Sequence, residues 1–156
     1  MPDMLVKLYE LPEAAPALKQ VADRGVEIRR PIAPEKHVVV NWVREHFGEG
    51  WASETEVAFS NHPVSCYIAI EEDKLIGFAC YESTCKAYFG PTGVGVEARG
   101  KGVGGALLIA SMHGLRELGY AYGIIGGAGP VEFYRKTLGA IPIEGSVPGI
   151  YKGMLK

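Results

Sequence analysis

The sequence predicts an α/β protein built on one mixed sheet, antiparallel in its N-terminal half and partly parallel in its C-terminal half, with flanking helices. Three strand-like runs follow one another across short polar turns, a pattern typical of an antiparallel meander. Helices that return the chain for a parallel strand occur only in the second half. A chain of 156 residues is the size of one domain with a sizeable core, so we expect a single domain over residues 1–156.

The first half of the chain alternates short apolar runs with helical patterns. The predicted elements there are a strand at 4–11, a helix at 12–23, a strand at 26–32, a helix from 33 to 47 and a short helix from 53 to 60. Pro12 suits the start of the first helix, and Gly25 closes the turn after it. Apolar residues recur at helical spacing up to Gly48, and Ser53 with Glu56 has capping-box spacing for the next helix.

The second half contains the meander and the crossovers. The predicted elements are strands at 64–70, 75–85 and 87–96, a helix at 102–118, a strand at 120–125, a helix at 131–138, and strands at 140–143 and 150–155. The polar residues 71–74 separate the first two strands and predict a hairpin. The helix at 102–118 has the clearest pattern, because Val103, Ala106, Leu107, Ala110 and Leu115 fall on one face. Pro130 and Gly139 bracket the last helix.

Composition narrows the classes of partner and the compartment. A formal net charge of −2 and an isoelectric point near 6.1 give no basic surface for nucleic acid or an anionic membrane. No apolar run approaches the roughly 18 residues of a membrane span. Three cysteines, an odd number without metal-ligand spacing, suit a reducing compartment. We therefore expect a cytoplasmic protein, with neither nucleic acid nor membrane as a partner.

A glycine-rich stretch, residues 93–105, joins a strand-like run to the clearest helix. Its sequence is GVGVEARGKGVGG. A strand, a glycine turn and a helix N-terminus together present outward-pointing backbone N–H groups, and the helix dipole adds roughly half a positive charge. The stretch therefore predicts a site for a ligand that carries phosphate.

Two familiar phosphate motifs fit this stretch poorly. Gly95 to Lys101 nearly matches GxxxxGK, but Gly102 stands where a P-loop needs a serine or threonine for magnesium. Gly100, Gly102 and Gly105 match GxGxxG, yet Ile125 stands where a dinucleotide site needs an acid for the ribose. A nucleoside triphosphatase and a dinucleotide-binding enzyme are both disfavoured.

The third pattern, [Q/R]xxGx[G/A], is complete from Arg99 to Gly104. Here the sequence resembles the GNAT superfamily of acyl-CoA N-acyltransferases, and it is most similar to small single-domain bacterial-type members. The passage FYRKTLGA, residues 133–140, looks like the family's later helix, in which a tyrosine precedes a leucine-glycine ending. The resemblance covers residues 26–156 as a GNAT-like core and leaves residues 1–25 as an N-terminal extension.

The resemblance implies acetyl-CoA as the co-substrate, with no metal. The residues that it assigns to the coenzyme are Val94, Gly95, Val96, Arg99, Gly100, Lys101, Gly102, Val103, Gly104 and Gly105. The glycines let the backbone approach the pyrophosphate, and the first three residues would face the pantetheine arm. Pro91 and Gly93 also predict a bulge in the preceding strand.

The resemblance assigns Tyr134 as the acid that protonates the departing thiolate. The general base is less well defined, because residues 88–96 hold neither an acid nor a histidine. Glu82 is the predicted base, with Glu132 and a water chain as alternatives. Deprotonating an amine of pKa near 10.4 at pH 7 costs about 4.6 kcal/mol, against about 1 kcal/mol for a pKa near 7.7. This favours a small-molecule amine of low pKa, such as an amino sugar or an α-amino compound.

Acceptor contacts are expected from the first two helices of the core and from the hairpin. The side chains available there are Trp51, Glu49, Glu54, Tyr67, Tyr81 and Glu82, of which Trp51 and Tyr81 are the predicted acceptor contacts. The four histidines share no metal spacing. The sequence thus predicts an N-acetyltransferase acting by direct attack, with homodimerisation left open. A non-catalytic acyl-CoA sensor on the same fold is the alternative.

Overall fold

The computed structural model describes every residue from Met1 to Lys156. The chain forms seven strands and five α-helices. They are β1 (Met4–Lys7), α1 (Ala14–Ala22), β2 (Val26–Arg29), α2 (Lys36–Phe47), α3 (Glu49–Ser60), β3 (Cys66–Glu71), β4 (Lys74–Tyr81), β5 (Tyr88–Val94), α4 (Val103–Glu117), β6 (Tyr122–Ile125), α5 (Val131–Leu138) and β7 (Ile141–Pro142).

All seven strands form one sheet in the order β2-β3-β4-β5-β6-β1-β7. Every pairing is antiparallel except β5 with β6, which is parallel. The parallel pair is the one connected by α4, as a strand-helix-strand crossover requires. The predicted mixed sheet with flanking helices is confirmed.

The N-terminal strand β1 lies inside the sheet. It pairs along its whole length with β6, from Met4 opposite Ile125 to Lys7 opposite Tyr122, and with β7 on its other side. Met4 and Val6 are fully buried as a result. Residues 1–25, which resemble no part of the family from the sequence, therefore contribute an interior strand and a helix that packs on α4.

One predicted strand is absent, and the predicted strands at 4–11, 26–32 and 75–85 end early, at Lys7, Arg29 and Tyr81. The predicted strand at 150–155 is wrong, because Gly149–Tyr151 forms a 3-10 turn and both Gly149 and Gly153 have positive φ. The predicted run 75–85 ends at Tyr81, since Glu82 has a φ of 59°. A residue with positive φ turns the chain out of the extended conformation.

The start of α3 also differs from the prediction. The helix begins at Glu49 and not at the Ser53 capping box. Gly48 has a φ of 99°, which glycine adopts without steric cost, so α2 ends and α3 begins with one residue between them.

Two apolar cores lie on opposite faces of the sheet. One face packs against α1 and α4, and all five residues of α4 that were predicted to point inward are buried. The other face packs against α2 and α3. Strand β4 serves both cores by alternation, with Ala79 and Tyr81 on the α4 side and Phe78 and Cys80 on the α3 side.

Candidate active site

A cleft opens in the middle of the sheet where β5 and β6 separate. These parallel strands pair at two positions only, Tyr88 with Ile124 and Phe89 with Ile125. Beyond Phe89, β5 continues while the chain after β6 turns away into the loop that leads to α5. One edge of β5 is therefore free of a neighbouring strand and lines the cleft.

Strand β5 is shaped by a bulge at the mouth of this cleft. Thr92 pairs with Ala79 and Phe89 pairs with Tyr81, so Cys80 alone stands opposite two residues of β5. The predicted bulge is thereby confirmed. Further along, a Cβ atom on Gly93 would lie 2.3 Å from the ring of Phe47, so only glycine fits beneath that ring.

The glycine turn, residues Gly100–Gly105, leads from the end of this region into α4. Gly100 and Gly102 have φ values of 79° and 83°, and Gly102 caps the helix in the left-handed conformation. None of the six backbone N–H groups of the turn donates a hydrogen bond. Six free donors at a helix N-terminus form a cradle for an anion.

A cavity of about 270 Å³ lies directly against the glycine turn. The predicted residues on its wall are Val94, Arg99, Gly100, Gly102, Val103, Gly104 and Gly105. Ala98 and Phe133 complete the wall. Arg99 braces the turn, since its Nε donates to the carbonyl of Val94 at 3.1 Å.

Three predicted coenzyme residues lie beside this cavity and not on its wall. The side chain of Lys101 is exposed, while its carbonyl accepts a hydrogen bond from Arg24 at 2.9 Å. The N–H of Gly95 donates to the carbonyl of Ile76 at 2.8 Å and is used within the sheet. Val96 is 74% exposed in a 3-10 turn.

Tyr134 lies on α5 and faces the cleft. Its side chain is only 6% exposed, and it lines an inner cavity of about 270 Å³ together with Trp51, Thr92 and Ala128. The hydroxyl group makes no hydrogen bond to protein. Every fully buried polar side-chain atom in the chain has a hydrogen-bond partner, so this unpaired hydroxyl is not fully buried and is open to the cavity. Burial raises the pKa of Tyr134, so the phenol is protonated and available as a proton donor at neutral pH.

Trp51 stands at the junction of the inner cavity with a second, larger one. The ring is 37% exposed and is supported from below by Phe47, with ring centroids 5.0 Å apart, and by Phe78 at 6.2 Å. An indole that is held by an aromatic cluster and open on one face can pack against a ligand. Trp51 lines both cavities, and its role as an acceptor contact stays a prediction.

The larger, outer cavity has a volume of about 770 Å³. It shares Met1, Trp51, Phe89, Gly90, Pro91, Gly126 and Gly127 with the inner cavity. Its remaining wall comes from α3, from the loop after β4, and from the C-terminal segment that includes Ile150, Tyr151 and Met154. The predictions from sequence did not include Met1, Thr84 or Tyr151, because no motif marks residues that long-range folding brings together.

Asp3 holds the loop after β6 in place beside both cavities. Its carboxylate accepts the N–H of Gly127 at 2.8 Å, and its own N–H donates to the hydroxyl of Ser146 at 2.9 Å. The residue is 6% exposed. The first residues of the chain thus clip the cleft loop to the C-terminal segment.

The ring of Tyr81 points away from the cleft and lines neither the inner nor the outer cavity, contrary to its predicted role as an acceptor contact. Its ring faces α4, where a Cβ on Gly114 would come within 2.6 Å of the ring, and its hydroxyl accepts a hydrogen bond from Arg30 at 2.8 Å. Side chains alternate along a strand, so Phe78 and Cys80 face the other side of the sheet. Tyr81 is a core residue.

The two predicted general bases are occupied elsewhere. Glu82 accepts the N–H of Ala87 at 2.9 Å and closes the turn between β4 and β5, on no cavity wall. Glu132 forms an exposed ion pair with Arg135 on the same helix. Neither residue lies on the wall of the inner cavity beside Tyr134 or of the outer cavity, so the position of each does not fit a base in this cleft.

The sequence pattern of the acetyltransferase (GNAT) family matches residues 35–140, about two thirds of the chain. The protein belongs to this family. The match spans the helices α2 and α3, the meander, the glycine turn and α5, which are the elements that surround the cleft.

Solved structures of similar fold include several acetyltransferases. The GCN5-related glucosamine N-acetyltransferase region of a fungal multi-domain β-N-acetylglucosaminidase superposes with a TM-score of 0.74 at 13% identity, over 91% of this chain and 19% of that chain. A GCN5-related N-acetyltransferase from Sphaerobacter thermophilus gives 0.67 at 19% identity, over 91% and 48%. An aminoglycoside acetyltransferase from an uncultured soil metagenomic sample gives 0.53 at 18% identity, over 74% and 88%.

This chain spans less than half the length of the first two of these proteins. At such identities the likeness describes the fold. No curated protein matches the sequence. None of the helices combines the length and the apolar character that crossing a membrane would need. No group of three histidine, cysteine or acidic side chains is arranged to hold a metal ion.

Proposed function

We propose that this protein is an acetyl-CoA-dependent N-acetyltransferase that transfers the acetyl group to a primary amine of a small molecule by direct attack. One observation carries the proposal. The free edge of β5 runs from the inner cavity, where Tyr134 presents an unbonded hydroxyl, to the glycine turn, where six N–H groups have no partner. A phosphate cradle and a proton donor along one strand suit a thioester of coenzyme A.

In this proposal the pyrophosphate binds the N–H groups of the glycine turn. The pantetheine arm follows the free edge of β5 at Val94, and the acetyl group enters the inner cavity beside Thr92. Arg99 and Lys101 flank the turn and add positive charge, although both side chains are solvent-facing.

The reaction needs one bond made and one broken. The amine nitrogen attacks the thioester carbonyl carbon, the carbon–sulfur bond then breaks, and the thiolate takes the proton of the Tyr134 hydroxyl. The amine gives up its protons to water, since no carboxylate or histidine side chain lies on β5, and water returns one proton to the Tyr134 phenolate. An amine of low pKa needs the least help in this step.

An amino sugar or an α-amino compound is therefore the proposed acceptor class. The glucosamine N-acetyltransferase region that shares this fold supports an amino sugar, as does the exposed face of Trp51. Three unpaired cysteines support a reducing compartment, and we propose the cytoplasm as its location.

A thiol-release assay tests the proposal. Acetyl-CoA is mixed with the protein and with amino sugars, amino acids, peptides or polyamines, and free CoA thiol is measured. We expect thiol release with at least one amine and none without protein. The competing function, a non-catalytic acyl-CoA sensor, is favoured by the lack of a base on β5. It would prevail if every amine failed while acetyl-CoA still raised the melting temperature.

A further inference from the structure

The outer cavity contains a single charged side chain, the carboxylate of Glu54. No lysine, arginine or histidine side chain lies on its wall, which is otherwise made of apolar, small and uncharged polar residues. Met1, Trp51 and Phe89 continue from this cavity into the inner one beside Tyr134, so a molecule that fills the outer cavity reaches the proposed acetyl group. An acceptor in the outer cavity would therefore lie in the electrostatic field of the Glu54 carboxylate.

Glu54 has no cationic partner within the protein. It takes part in none of the ion pairs of the chain, whereas Glu35, Glu49 and Glu132 each contact an arginine. Its one hydrogen bond comes from the hydroxyl of Thr84, in the loop after β4. A hydroxyl donor orients a carboxylate and leaves its negative charge uncompensated.

The field of this carboxylate reaches the opposite wall. The pKa of Tyr151 is raised first by burial and next by the negative charge of Glu54, with Asp3 adding to the effect. No cationic side chain lies on the wall of the outer cavity, and the one other positive group there is the α-ammonium of Met1, a residue that is 76% exposed, so that solvent screens its charge.

Helix α3 explains why Glu54 faces the cavity. Ala52, Thr55, Ala58 and Phe59 form the buried face of this helix. Glu54 lies one turn after Trp51, so the two side chains stand next to each other at the cavity wall. A ligand whose ammonium group binds the Glu54 carboxylate would place its carbon skeleton against the indole of Trp51.

We propose that the outer cavity selects amines that carry no carboxylate, with Glu54 binding the ammonium group of the acceptor. This inference rests on the proposed function and narrows its acceptor class. Amino sugars and other amines of low pKa that lack a carboxylate suit this wall. Free amino acids do not, because their carboxylate would face Glu54 in a cavity that has no cationic side chain.

Binding of a matched pair of probes tests the selection without relying on turnover. Phenethylamine and phenylalanine differ only in the carboxylate, and each is titrated while intrinsic tryptophan fluorescence is followed. We expect phenethylamine to bind at least tenfold more tightly to the natural protein. Glu54→Gln keeps the size of the side chain and its contact with Thr84, and it should bring the ratio of the two affinities close to one.

Glu56→Gln is the matched control, because Glu56 lies on the same helix, is exposed and lines no cavity. It should leave the ratio unchanged. Equal binding of the two probes by the natural protein, or a preference that survives in Glu54→Gln, would overturn the inference.

Thiol release with the same probes keeps this inference separate from the proposed function. If acetyl transfer occurs with phenylalanine as readily as with phenethylamine, the function stands and the selection fails. If phenethylamine binds selectively through Glu54 but no amine releases thiol, the selection stands and the enzyme assignment fails.

Discussion

The glycine turn and the outer cavity border the same cleft, and they are assembled in opposite ways. The turn is six consecutive residues whose backbone conformation follows from glycine itself, with Gly100 and Gly102 at positive φ and the helix starting at Val103. The outer cavity combines both ends of the chain with α3, the loop after β4 and the loop after β6.

This difference teaches where each half of the reaction can be altered. A change in the glycine turn affects the proposed coenzyme through local backbone geometry. A change in the outer cavity affects the acceptor through side chains that only the complete fold brings together. Tyr134 stands between the two, and a substitution there should affect the chemical step alone.

The largest effect is expected for Tyr134→Phe. The hydroxyl makes no hydrogen bond to protein, so its removal leaves the packing of the ring intact. Loss of a positioned acid lowers kcat by roughly 100-fold or more. Steady-state kinetics with acetyl-CoA, together with a titration of CoA affinity, measures both quantities. An unchanged kcat would remove Tyr134 from the mechanism.

The pH profile of the same pair of proteins gives a second readout. Because burial raises the pKa of Tyr134, the phenol keeps its proton beyond the usual value of about 10. Ionisation of Tyr134 should therefore cause no loss of kcat near neutral pH. The alkaline decrease in the natural protein should set in at a higher pH than for an exposed tyrosine, and it should be absent in Tyr134→Phe.

The glycine turn was predictable from the sequence because its information is local. The end of a strand, a glycine-rich turn and the start of a helix lie within thirteen residues, from Gly93 to Gly105, and the sequence order alone places them together. Tyr134 was chosen as a candidate acid because of its own local motif, and Trp51 was chosen as a candidate acceptor contact because it lies between two predicted helices. The mixed sheet followed from the order of the elements.

The acceptor side was predicted only in part. Tyr81 and Glu82 are adjacent on an apolar run, but the alternation of β4 and the positive φ at Glu82 send both away from the cleft. The place of β1 between β6 and β7 depends on pairings across more than a hundred residues, and so does the wall formed by Tyr151. No periodicity in the sequence encodes such contacts.

The next effect in size is expected for Gly102→Ala, which tests the local half of the comparison. A left-handed alanine costs about 1 kcal/mol, and the new methyl meets no protein atom closer than 3.8 Å. We expect CoA affinity to fall about tenfold, because the methyl group stands where the pyrophosphate approaches the backbone.

Gly25→Ala is the control for backbone strain. Gly25 has a φ of 87° and open space around it, and it lies outside the cavity of the glycine turn. The two variants should lose similar stability in denaturant unfolding, while Gly25→Ala keeps its CoA affinity. Equal losses of affinity would show that strain, and not approach of the ligand, explains the effect.

A smaller change is expected for Tyr151→Ala, which tests the half built by long-range contacts. The hydroxyl of Tyr151 would lie 3.0 Å from a Cβ on Gly126, so the ring closes the outer cavity over the loop after β6. We expect the KM for the amine to rise about fivefold, equivalent to about 1 kcal/mol of binding, with CoA affinity unchanged. Tyr9→Ala, which removes a half-exposed ring away from both cavities, should leave both quantities unaltered.

The smallest effect is a change in the rate of alkylation at Cys85, which reports whether the outer cavity is filled separately from the coenzyme site. Cys85 lines that cavity and is partly exposed, while Cys66 and Cys80 are fully buried. The pKa of Cys66 is also raised, first by its contact with Cys80 and then by burial, which leaves it less reactive thiolate.

An alkylating reagent should therefore modify one thiol in the native protein, and Cys85→Ser should abolish that modification. A saturating acceptor amine should slow the reaction about threefold or more because it occupies the cavity, a factor equivalent to about 0.65 kcal/mol. Acetyl-CoA, which has no free thiol, should leave the rate nearly unchanged, since the proposed path of its pantetheine arm ends in the inner cavity. Equal protection by both would mean that donor and acceptor occupy one continuous site, and the contrast between the glycine turn and the outer cavity would not extend to ligand binding.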